Sequence, residues 1–322
     1  MNHMSAKTTA APTSFALKGA KPAIFIDGEA GTTGLLIRER LAGMAQVEVI
    51  RIDPAFRKDV AARQAMMARA DLIILCLHDD HAREATAMAA TLGKDAPRLL
   101  DASTAHRVAE GWTFGFAELA KGQSDAIRVA NKVSNPGCYA TGAIALLRPL
   151  IDAALVPASF PLSINAVSGY SGGGRAMIES HEAGTAPAFE LYALGLEHKH
   201  VPETMRYSGL TTRPIFVPSV GNFRQGMLVS LPLHLDSLPG KPTGADLRAA
   251  LTRHYQGSAF VSVLDDETGK LEAESLNGTN RMELGVFTNQ NHRQAVLVAK
   301  LDNLGKGASG AAVQNLKLML GL

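Results

Sequence analysis

The stretch of sequence that decides the fold is residues 23–44, AIFIDGEAGTTGLLIRERLAGM. Its apolar start predicts a strand, its three evenly spaced glycines predict a turn, and the leucine spacing after them predicts a helix. In such a unit, bare backbone and the free N–H groups of the helix N-terminus can receive a pyrophosphate. The pattern therefore predicts a dinucleotide-binding turn formed by five residues: Gly28, Gly31, Thr32, Thr33 and Gly34.

The residues near this turn leave two alternatives open. The spacing G-x-x-G-x-x-G differs from the commoner G-x-G-x-x-G, so a turn that merely packs a helix on a strand also fits. Asp53 ends the second predicted strand, where a carboxylate would accept a ribose 2′-hydroxyl and favour NAD. Arg51, Arg57 and Lys58 flank it and would instead suit a 2′-phosphate. The sequence by itself decides neither point.

Strands and helices alternate through the first half of the chain. Further apolar strands are predicted at residues 47–52, 71–77, 98–100 and 127–133. Continuous apolar strands separated by helices are typical of a doubly wound parallel sheet covered on both faces. The helical run after Cys138 is expected to close this first domain.

The second half of the chain has a different sequence pattern. Residues 162–175, 214–235 and 293–303 have the pattern of strands with few helices between them, which predicts an α+β domain. The last segment is helical, with apolar residues spaced to dock on the first domain. The predicted bounds are a flexible tail at 1–20, a dinucleotide-binding domain at 21–137 completed by 305–322, and a second domain at 138–304.

Composition excludes several classes of protein. The 322 residues are 46% hydrophobic and 19% charged, as in an ordinary globular protein. Thirty-two Lys and Arg oppose thirty Asp and Glu, for a formal charge of +2 without a dense basic run, so neither nucleic acid nor a membrane is an expected partner. Two cysteines in unrelated contexts and no apolar run of membrane-spanning length favour a cytoplasmic protein.

The two cysteines have different local settings. Cys138 lies in SNPGCYAT, a turn followed at once by a helical run, which predicts a thiol at a helix N-terminus. We expect that position to lower the thiol pKa and to favour the attacking thiolate. Cys76 lies between Leu75 and Leu77 in a strand and is expected to be an inert, buried residue. Cys138 is therefore the predicted nucleophile.

A thiolate that forms an acyl intermediate needs a proton carrier. The segment EHKHVPE at 197–203 offers His198 and His200, either of which could act as acid and base near neutral pH. The residues by themselves do not decide between the two. Because no third ligand is clustered with this pair, no metal site is expected.

Six segments together resemble N-acetyl-gamma-glutamyl-phosphate reductase of the shorter, second type: GEAGTTG, DASTAHR, SNPGCYAT, VSGYSGGGR, EHKHVPE and SVGNFRQGM. The C-terminal DNLGKGASGAAVQN is similar to the final helix of aspartate-semialdehyde dehydrogenase and its relatives. The resemblance spans about residues 22–322. It implies a Rossmann-type domain completed by the C-terminal helix, an α+β substrate and oligomerisation domain, NADP(H) as cofactor, and a homodimer or homotetramer.

The resemblance also implies a reaction in arginine biosynthesis. Cys138 would attack the acyl phosphate of N-acetyl-L-glutamyl 5-phosphate, and the resulting thioester would accept a hydride from NADPH to give the semialdehyde. The residues that match the family's substrate-contacting positions are Ser103, Thr104 and Arg107, with Arg175 as a weaker phosphate candidate. Asn135 would meet the nicotinamide amide. One of His198 and His200 would be the acid–base group, and we narrowly prefer His198. From its residue type alone, Arg107 also suits a structural salt bridge.

Three other functions remain to be weighed. An aspartate-semialdehyde dehydrogenase would use the same thiol on a shorter substrate without the acetyl group. A cysteine hydrolase would use Cys138 and a histidine but would have no need of the glycine turn. A non-catalytic dinucleotide sensor would be indifferent to Cys138→Ser.

Overall fold

The computed structural model describes residues 17–265 and 269–322, which form two sheets with separate cores. The strands are β1 Ala23–Asp27, β2 Glu48–Ile50, β3 Leu72–Leu75, β4 Arg98–Asp101, β5 Thr113–Phe114, β6 Lys132–Ser134, β7 Ser163–Gly169, β8 Phe189–Leu191, β9 Ile215–Gly221, β10 Met227–His234, β11 Val261–Val263, β12 Met282–Asn289 and β13 Gln294–Leu301. The helices are α1 Thr32–Ala42, α2 Val60–Arg69, α3 Asp79–Ala90, α4 Gln123–Val129, α5 Cys138–Asp152, α6 Arg175–Glu182, α7 Val201–Ser208, α8 Gly244–Tyr255 and α9 Gly310–Leu320.

The first sheet has the order β2-β1-β3-β4-β6-β5, and its paired strands are all parallel. Side chains of β1 point alternately to its two faces, so Ile24 packs in one apolar cluster and Phe25 in another. Helices α1 and α9 contribute to the first cluster, and α2 and α3 contribute to the second. The predicted doubly wound parallel sheet is confirmed.

The C-terminal helix α9 returns to this sheet, as its apolar spacing predicts. Ala312, Leu316 and Met319 are buried against β1, β3 and α1. The buried guanidinium of Arg98 holds the helix end, since it donates to the carbonyl oxygen of Met319 and, at 2.8 Å, to that of Arg128 in α4. A cation at two helix C-termini pairs with carbonyl groups that have no partner within their own helices.

Three sequence predictions about the first domain need correction. The run 127–133 is not one strand, because Ile127 to Val129 belong to α4 and β6 begins only at Lys132. Val129 is 62% exposed, and a short apolar run of this kind does not distinguish a helix from a strand. The strands predicted at 47–52 and 71–77 are shorter, at three and four residues.

The predicted flexible tail lies mostly outside the described residues, which begin at 17. Within the described part, Lys18 is held to the first domain. Its backbone N–H donates to Asp71 at 2.9 Å, and its ammonium donates to the carbonyl oxygens of Ala68 and Asp95 at 2.9 and 3.0 Å. The end of the tail is therefore fixed at Lys18.

The second sheet is mixed, with the order β11-β12-β13-β10-β7-β9-β8. Helix α5 is almost wholly buried and packs on β10, β13, α7 and α8. The expectation that the helix after Cys138 closes the first domain is therefore wrong, because its apolar surface fills the core of the second. Three helices, α6 to α8, lie between the strands, more than the strand-rich pattern indicated. Across the described ranges, no helix combines the length and apolar character that a membrane span needs.

Candidate active site

Cys138 is the first residue of α5, where the chain leaves the first sheet at the end of β6 and enters the core of the second. Gly137 is the N-cap of this helix and provides no side chain to cap it. The thiol is half-buried at this junction. The prediction of a thiol at a helix N-terminus is confirmed.

Three side chains converge on Gly137, the residue before the thiol. A methyl group placed on Gly137 would lie 2.4 Å from Nη1 of Arg107, 2.4 Å from Nε2 of His200 and 2.7 Å from Oε1 of Glu203. Only glycine therefore fits where these three groups meet. The backbone N–H of Gly137 donates to Oε2 of Glu203 at 3.0 Å, so the same carboxylate also holds the start of α5.

Arg107 and Glu203 form a buried ion pair. Nη1 of Arg107 lies 2.6 Å from Oε1 of Glu203, and Nε of Arg107 donates to the carbonyl oxygen of Asn135 at 3.1 Å. Burial raises the pKa of Glu203, while Arg107 and the N–H of Gly137 act to lower it. The salt bridge that was one interpretation of Arg107 is present, and it lies beside the thiol.

The pKa of Cys138 differs in direction from the sequence prediction. Burial raises it, and this effect outweighs the lowering by Arg107, by the backbone N–H of Tyr139 and by Lys199. Glu203 adds to the increase. The helix N-terminus and the nearby cations are present as expected. Removal of water from around the thiol destabilises the thiolate by more than they stabilise it.

The two histidines differ in how far their nitrogens are already occupied. Nδ1 of His198 accepts the backbone N–H of His200 at 3.1 Å, which leaves the ring proton on Nε2, 3.4 Å from the Tyr192 hydroxyl. His200 is buried with its Nε2 beside Gly137, and its Nδ1 has no hydrogen-bond partner among the described residues. Of the two rings, His200 therefore has the one with fewer hydrogen bonds, and its Nε2 lies beside the residue that precedes the thiol.

Both imidazoles are held neutral. Burial, then Lys199 and Arg107, lower the pKa of His198 to about 4. Burial and then Arg107 lower the pKa of His200 well below its ordinary value. A neutral imidazole can accept a proton from a thiol, so either ring is in the required state at neutral pH. In the described part of the chain, no three His, Cys, Asp or Glu side chains group in a way that could hold a metal ion.

The glycine turn has a cradle that fits a dinucleotide. Gly28 has φ +91°, and a methyl group there would lie 2.3 Å from the carbonyl oxygen of Cys76. Gly31 caps α1 without a side-chain hydrogen bond, so Thr32, Thr33 and Gly34 begin a helix whose first N–H groups have no side-chain cap. This backbone surface fits a pyrophosphate.

Charged side chains surround the turn. Glu29 lies within it and pairs with Arg38 at 2.7 Å and Arg51 at 3.0 Å. Asp53 is exposed, and its carboxylate accepts the N–H of Ala55 at 2.9 Å, which gives it a local capping role. The one feature that favoured NAD thus has a structural explanation.

Arg175 reaches the turn from the second domain. Its Nη2 donates to the carbonyl oxygen of Ala30 at 3.3 Å, and the residue is exposed at the start of α6. The structure therefore brings Arg175 to the predicted dinucleotide turn and does not include it in the group around Gly137. It remains a candidate for an anion that lies between the two domains.

Ser103 and Thr104 lie in the loop after β4. The hydroxyl of Ser103 donates to Asp101 at 2.8 Å and accepts the N–H of Ala105 at 3.1 Å, and the N–H of Thr104 donates to Asp79 at 3.0 Å. These contacts shape the loop that carries Arg107. Among the three predicted substrate residues, Arg107 is the one that reaches the group around Gly137.

Asn135 connects the site to the C-terminal segment. Its Nδ2 donates to the carbonyl oxygen of Ala308 at 3.1 Å, and its Oδ1 accepts from Asn315 in α9 at 3.0 Å. The side chain is buried and held in one orientation. The predicted nicotinamide contact would need this amide or the backbone beside it.

Sequence reasoning missed several members of the site. Glu203 lies three residues after His200 in EHKHVPE, so a signal for it was present at the start of α7. Asn315 and Tyr192 gave no such signal, because nothing local links them to Cys138. His106, in the loop that carries Arg107, was not singled out from the sequence either; its Nδ1 lies 2.6 Å from Oδ2 of Asp101, and its ring stacks on Trp112 at 4.1 Å.

Comparisons with known proteins bear on the whole chain. The family model described as semialdehyde dehydrogenase, dimerisation domain, matches residues 138–303. The chain is 53% identical over 310 residues to N-acetyl-gamma-glutamyl-phosphate reductase of Brucella ovis, covering 94% of this chain and 99% of that protein. It is 50% identical over 307 residues to N-acetyl-gamma-glutamyl-phosphate reductase 2 of Pseudomonas putida, covering 93% and 97%.

Solved structures share the fold. Aspartate semialdehyde dehydrogenase II of Vibrio cholerae, complexed with ASA, gives a TM-score of 0.69 at 15% identity and covers 94% of this chain and 99% of that one. The Candida albicans aspartate semialdehyde dehydrogenase with NADP gives a TM-score of 0.63 at 12% identity, covering 93% and 98%. Identities this low establish the architecture alone. The near-complete matches at 50% and 53% identity go further: the chain is an enzyme that belongs to the N-acetyl-gamma-glutamyl-phosphate reductase family.

Proposed function

We propose that this chain reduces N-acetyl-L-glutamyl 5-phosphate to N-acetyl-L-glutamate 5-semialdehyde with NADPH, in the arginine biosynthesis of the cytoplasm. The observation that carries the proposal is the convergence of Arg107, His200 and Glu203 on Gly137, directly before the Cys138 thiol at a helix N-terminus. A nucleophile, a base and a cation meet there. The names of the relatives specify the substrate, and the site supplies the chemistry that such a substrate needs.

The cofactor proposal rests on the glycine turn. Gly28, Gly31, Thr32, Thr33 and Gly34 would hold the pyrophosphate on backbone N–H groups at the start of α1. The exposed Arg51, beside Glu29, would supply positive charge for the 2′-phosphate that distinguishes NADP from NAD. When bound, NADPH supplies the hydride for the reduction.

The proposed steps use the protein's own groups in sequence. His200 accepts the proton of the Cys138 thiol, and Sγ attacks the acyl carbon while the bond to phosphate breaks. Arg107 stabilises the charge of the leaving phosphate, which takes the proton from His200. A hydride added to the carbonyl carbon of the thioester would give the anion of a thiohemiacetal on Cys138, and this anion collapses to release the aldehyde and regenerate the thiolate.

We assign the proton transfer to His200, although the sequence analysis narrowly preferred His198. Both nitrogens of His198 have neighbours, whereas Nε2 of His200 lies at Gly137 and its Nδ1 has no partner among the described residues. His200→Gln is expected to reduce kcat by about 10²-fold or more. His198→Gln is the matched variant and is expected to cost less. Equal losses, or a larger loss for His198, would contradict the assignment.

The division into two domains is part of the same proposal. Residues 21–137 with 305–322 would bind the cofactor, and 138–304 would carry the histidines and the oligomer contacts.

The face of the second sheet opposite α5 is open and apolar, with Phe189, Leu191 and Val296 exposed beside a groove of about 700 Å³. We propose that two copies of the chain meet on this face, in line with the dimerisation domain matched there. Light scattering of the wild type and of Val296→Asp tests this, and an unchanged molar mass in the variant would count against it.

The function is tested in the reverse direction. Phosphate-dependent reduction of NADP is measured with N-acetyl-L-glutamate 5-semialdehyde, with aspartate semialdehyde as the control substrate and NAD as the control cofactor. Turnover of the acetylated substrate with NADP is the expected result. Preference for aspartate semialdehyde would keep the mechanism and replace the substrate. Absence of turnover with both aldehydes would overturn the proposal.

A further inference from the structure

A buried lysine lies outside the group around Gly137 and takes no part in the steps above. Lys306 has a side chain 1% exposed, in a π-helical turn at Gly305–Ser309 that precedes α9. Its ammonium lies 2.7 Å from Oε2 of Glu118 and 2.8 Å from Oε1 of Gln314. Gln314 closes the cluster, since its Nε2 donates to the other oxygen of Glu118 at 2.8 Å.

Stability alone does not account for a charge at this position. The ammonium lies 5.6 Å from the centre of the Phe116 ring and 5.3 Å from that of Phe260, an environment in which an apolar side chain would also pack. A buried ion pair often contributes no more stability than apolar residues of similar volume, because both charges lose their water. What the pair adds is a fixed geometry between the segments that carry it.

Those segments come from both domains. Glu118 follows β5 and Gln314 lies in α9, both in the first domain, whereas Phe260 precedes β11 in the second. The Gln314 side chain also accepts from Nδ2 of Asn280, which precedes β12, at 3.0 Å. Lys306 is thus held at a point where the two domains meet.

The turn that carries Lys306 forms one wall of the thiol site. A methyl group on Gly307 would lie 2.7 Å from Cβ of Cys138, so the turn is in contact with the nucleophile. The carbonyl oxygen of the next residue, Ala308, accepts from the Asn135 side chain at 3.1 Å. Movement of this turn would therefore displace both Cys138 and Asn135.

We propose that Lys306 is a positioning residue, whose ion pair with Glu118 fixes the turn Gly305–Ser309 against Cys138 and Asn135 and so holds the thiol in the geometry for attack. The inference depends on the proposed function for its turnover measurement only. Reactivity of the thiol is a second measurement that does not depend on the substrate.

The test compares three variants. Lys306→Met removes the cation, Lys306→Met/Glu118→Gln removes both charges, and Met67→Ala is a control that opens a cavity in the first domain at a residue of α2, 0% exposed, on the far side of that sheet. For each, we would measure kcat, KM for NADP, thermal midpoint, and the rate at which iodoacetamide alkylates Cys138, followed by mass spectrometry well below the midpoint.

The expected result separates position from stability. Lys306→Met lowers kcat roughly 10- to 100-fold, because a small displacement of reacting groups is costly, and changes KM for NADP by much less, because the glycine turn proposed to hold the pyrophosphate is separate. Cys138 is alkylated faster than in the wild type, since the loosened turn admits solvent. The double variant regains the thermal midpoint but keeps the low kcat. Met67→Ala lowers the midpoint and leaves kcat and alkylation unchanged.

Two results would overturn the proposal. One is recovery of kcat together with the thermal midpoint in the double variant, which would make the ion pair a matter of stability. The other is an alkylation rate in the Lys306 variants that matches the Met67→Ala control. If Lys306→Met does not fold, the double variant alone carries the comparison. If the wild type lacks reductase activity, the proposed function fails, and the alkylation rates still decide the role of Lys306.

Discussion

Cys76 and Cys138 both follow strands of the same parallel sheet, yet their surroundings differ in charge. Burial raises the pKa of Cys76, and the carboxylates of Asp101 and Asp27 raise it further. Burial also raises the pKa of Cys138, but Arg107, a helix N–H and Lys199 oppose it. The two thiols thus differ in the charges that distant segments bring to them, since burial acts on both, and this difference supports Cys138 as the proposed nucleophile.

The sharpest test of this comparison replaces each thiol. Cys138→Ser is expected to lower the phosphate-dependent reduction of NADP by at least about 10³-fold, because a serine hydroxyl at this site is a far weaker nucleophile. Cys76→Ser is the matched variant and is expected to retain turnover. NADPH affinity, followed by the fluorescence of the bound cofactor, is expected to survive in Cys138→Ser. A Cys76→Ser variant as inactive as Cys138→Ser would abolish the distinction.

The second prediction exchanges the glycine beside each cysteine. Gly137→Ala would force a methyl group between Arg107 and His200, and we expect kcat to fall about 10²-fold with NADPH affinity unchanged. Gly28→Ala would strain a positive φ and press on the Cys76 carbonyl, so here NADPH affinity is expected to fall while alkylation of Cys138 stays at the wild-type rate. Loss of cofactor binding in Gly137→Ala would mean that the two regions are not separate.

The third prediction makes the surroundings of Cys138 more like those of Cys76. Arg107→Met removes the largest of the effects that oppose the rise in thiol pKa, so the pKa of Cys138 is expected to rise further and alkylation at pH 8 to slow about tenfold. Arg107→Lys keeps the charge and is expected to alkylate at nearly the wild-type rate, but its KM for phosphate should increase because the planar fork is lost. Alkylation at the wild-type rate in Arg107→Met would show that Arg107 does not act on the thiol.

The smallest expected effect is on the pH dependence of the protein's stability, through the two histidines near Cys138. His198, with a pKa of about 4, and His200, with a pKa well below its ordinary value, stay neutral in the fold but take up protons near pH 6.5 when unfolded. The unfolded state thus binds more protons between about pH 4 and 6.5, so their contribution is complete above that window and is lost as pH falls through it. Glu203, whose pKa is raised, works in the opposite direction.

Because Glu203 acts in the opposite direction, the slope of thermal midpoint against pH is compared between variants and not taken from the wild type alone. Between pH 7 and pH 5, the thermal midpoint of His200→Gln is expected to decrease by about 2–4 °C less than that of the wild type. His78→Gln, with an exposed side chain near Cys76, is the control and is expected to keep the wild-type slope. An identical slope in both variants would indicate that the neutral state of His200 contributes nothing measurable.

The parts of the fold that the sequence predicts well are those encoded by neighbouring residues. The apolar run, the three glycines and the leucine spacing in 23–44 specify β1, the turn and α1. The spacing of Ala312, Leu316 and Met319 specifies the face by which α9 docks. The prediction of one strand at 127–133 was wrong because a short apolar pattern is equally compatible with the end of α4 and the start of β6. The helix after Cys138 was expected to close the first domain, although the predicted bounds placed it in the second, because a helix that is apolar all round does not indicate which core it joins.

For the site, the sequence by itself determined the chemistry available: a thiol at a helix start, two histidines in one segment, and a backbone cradle after the first strand. These depend on spacings of a few residues, which the chain fixes locally. Only the tertiary structure decided how they combine, since Arg107 and Glu203 are 96 positions apart and Asn135 and Asn315 are 180 apart. Folding likewise decided that His200 faces Gly137 and that burial outweighs the helix N-terminus at Cys138, because the removal of water depends on every segment packed around a group.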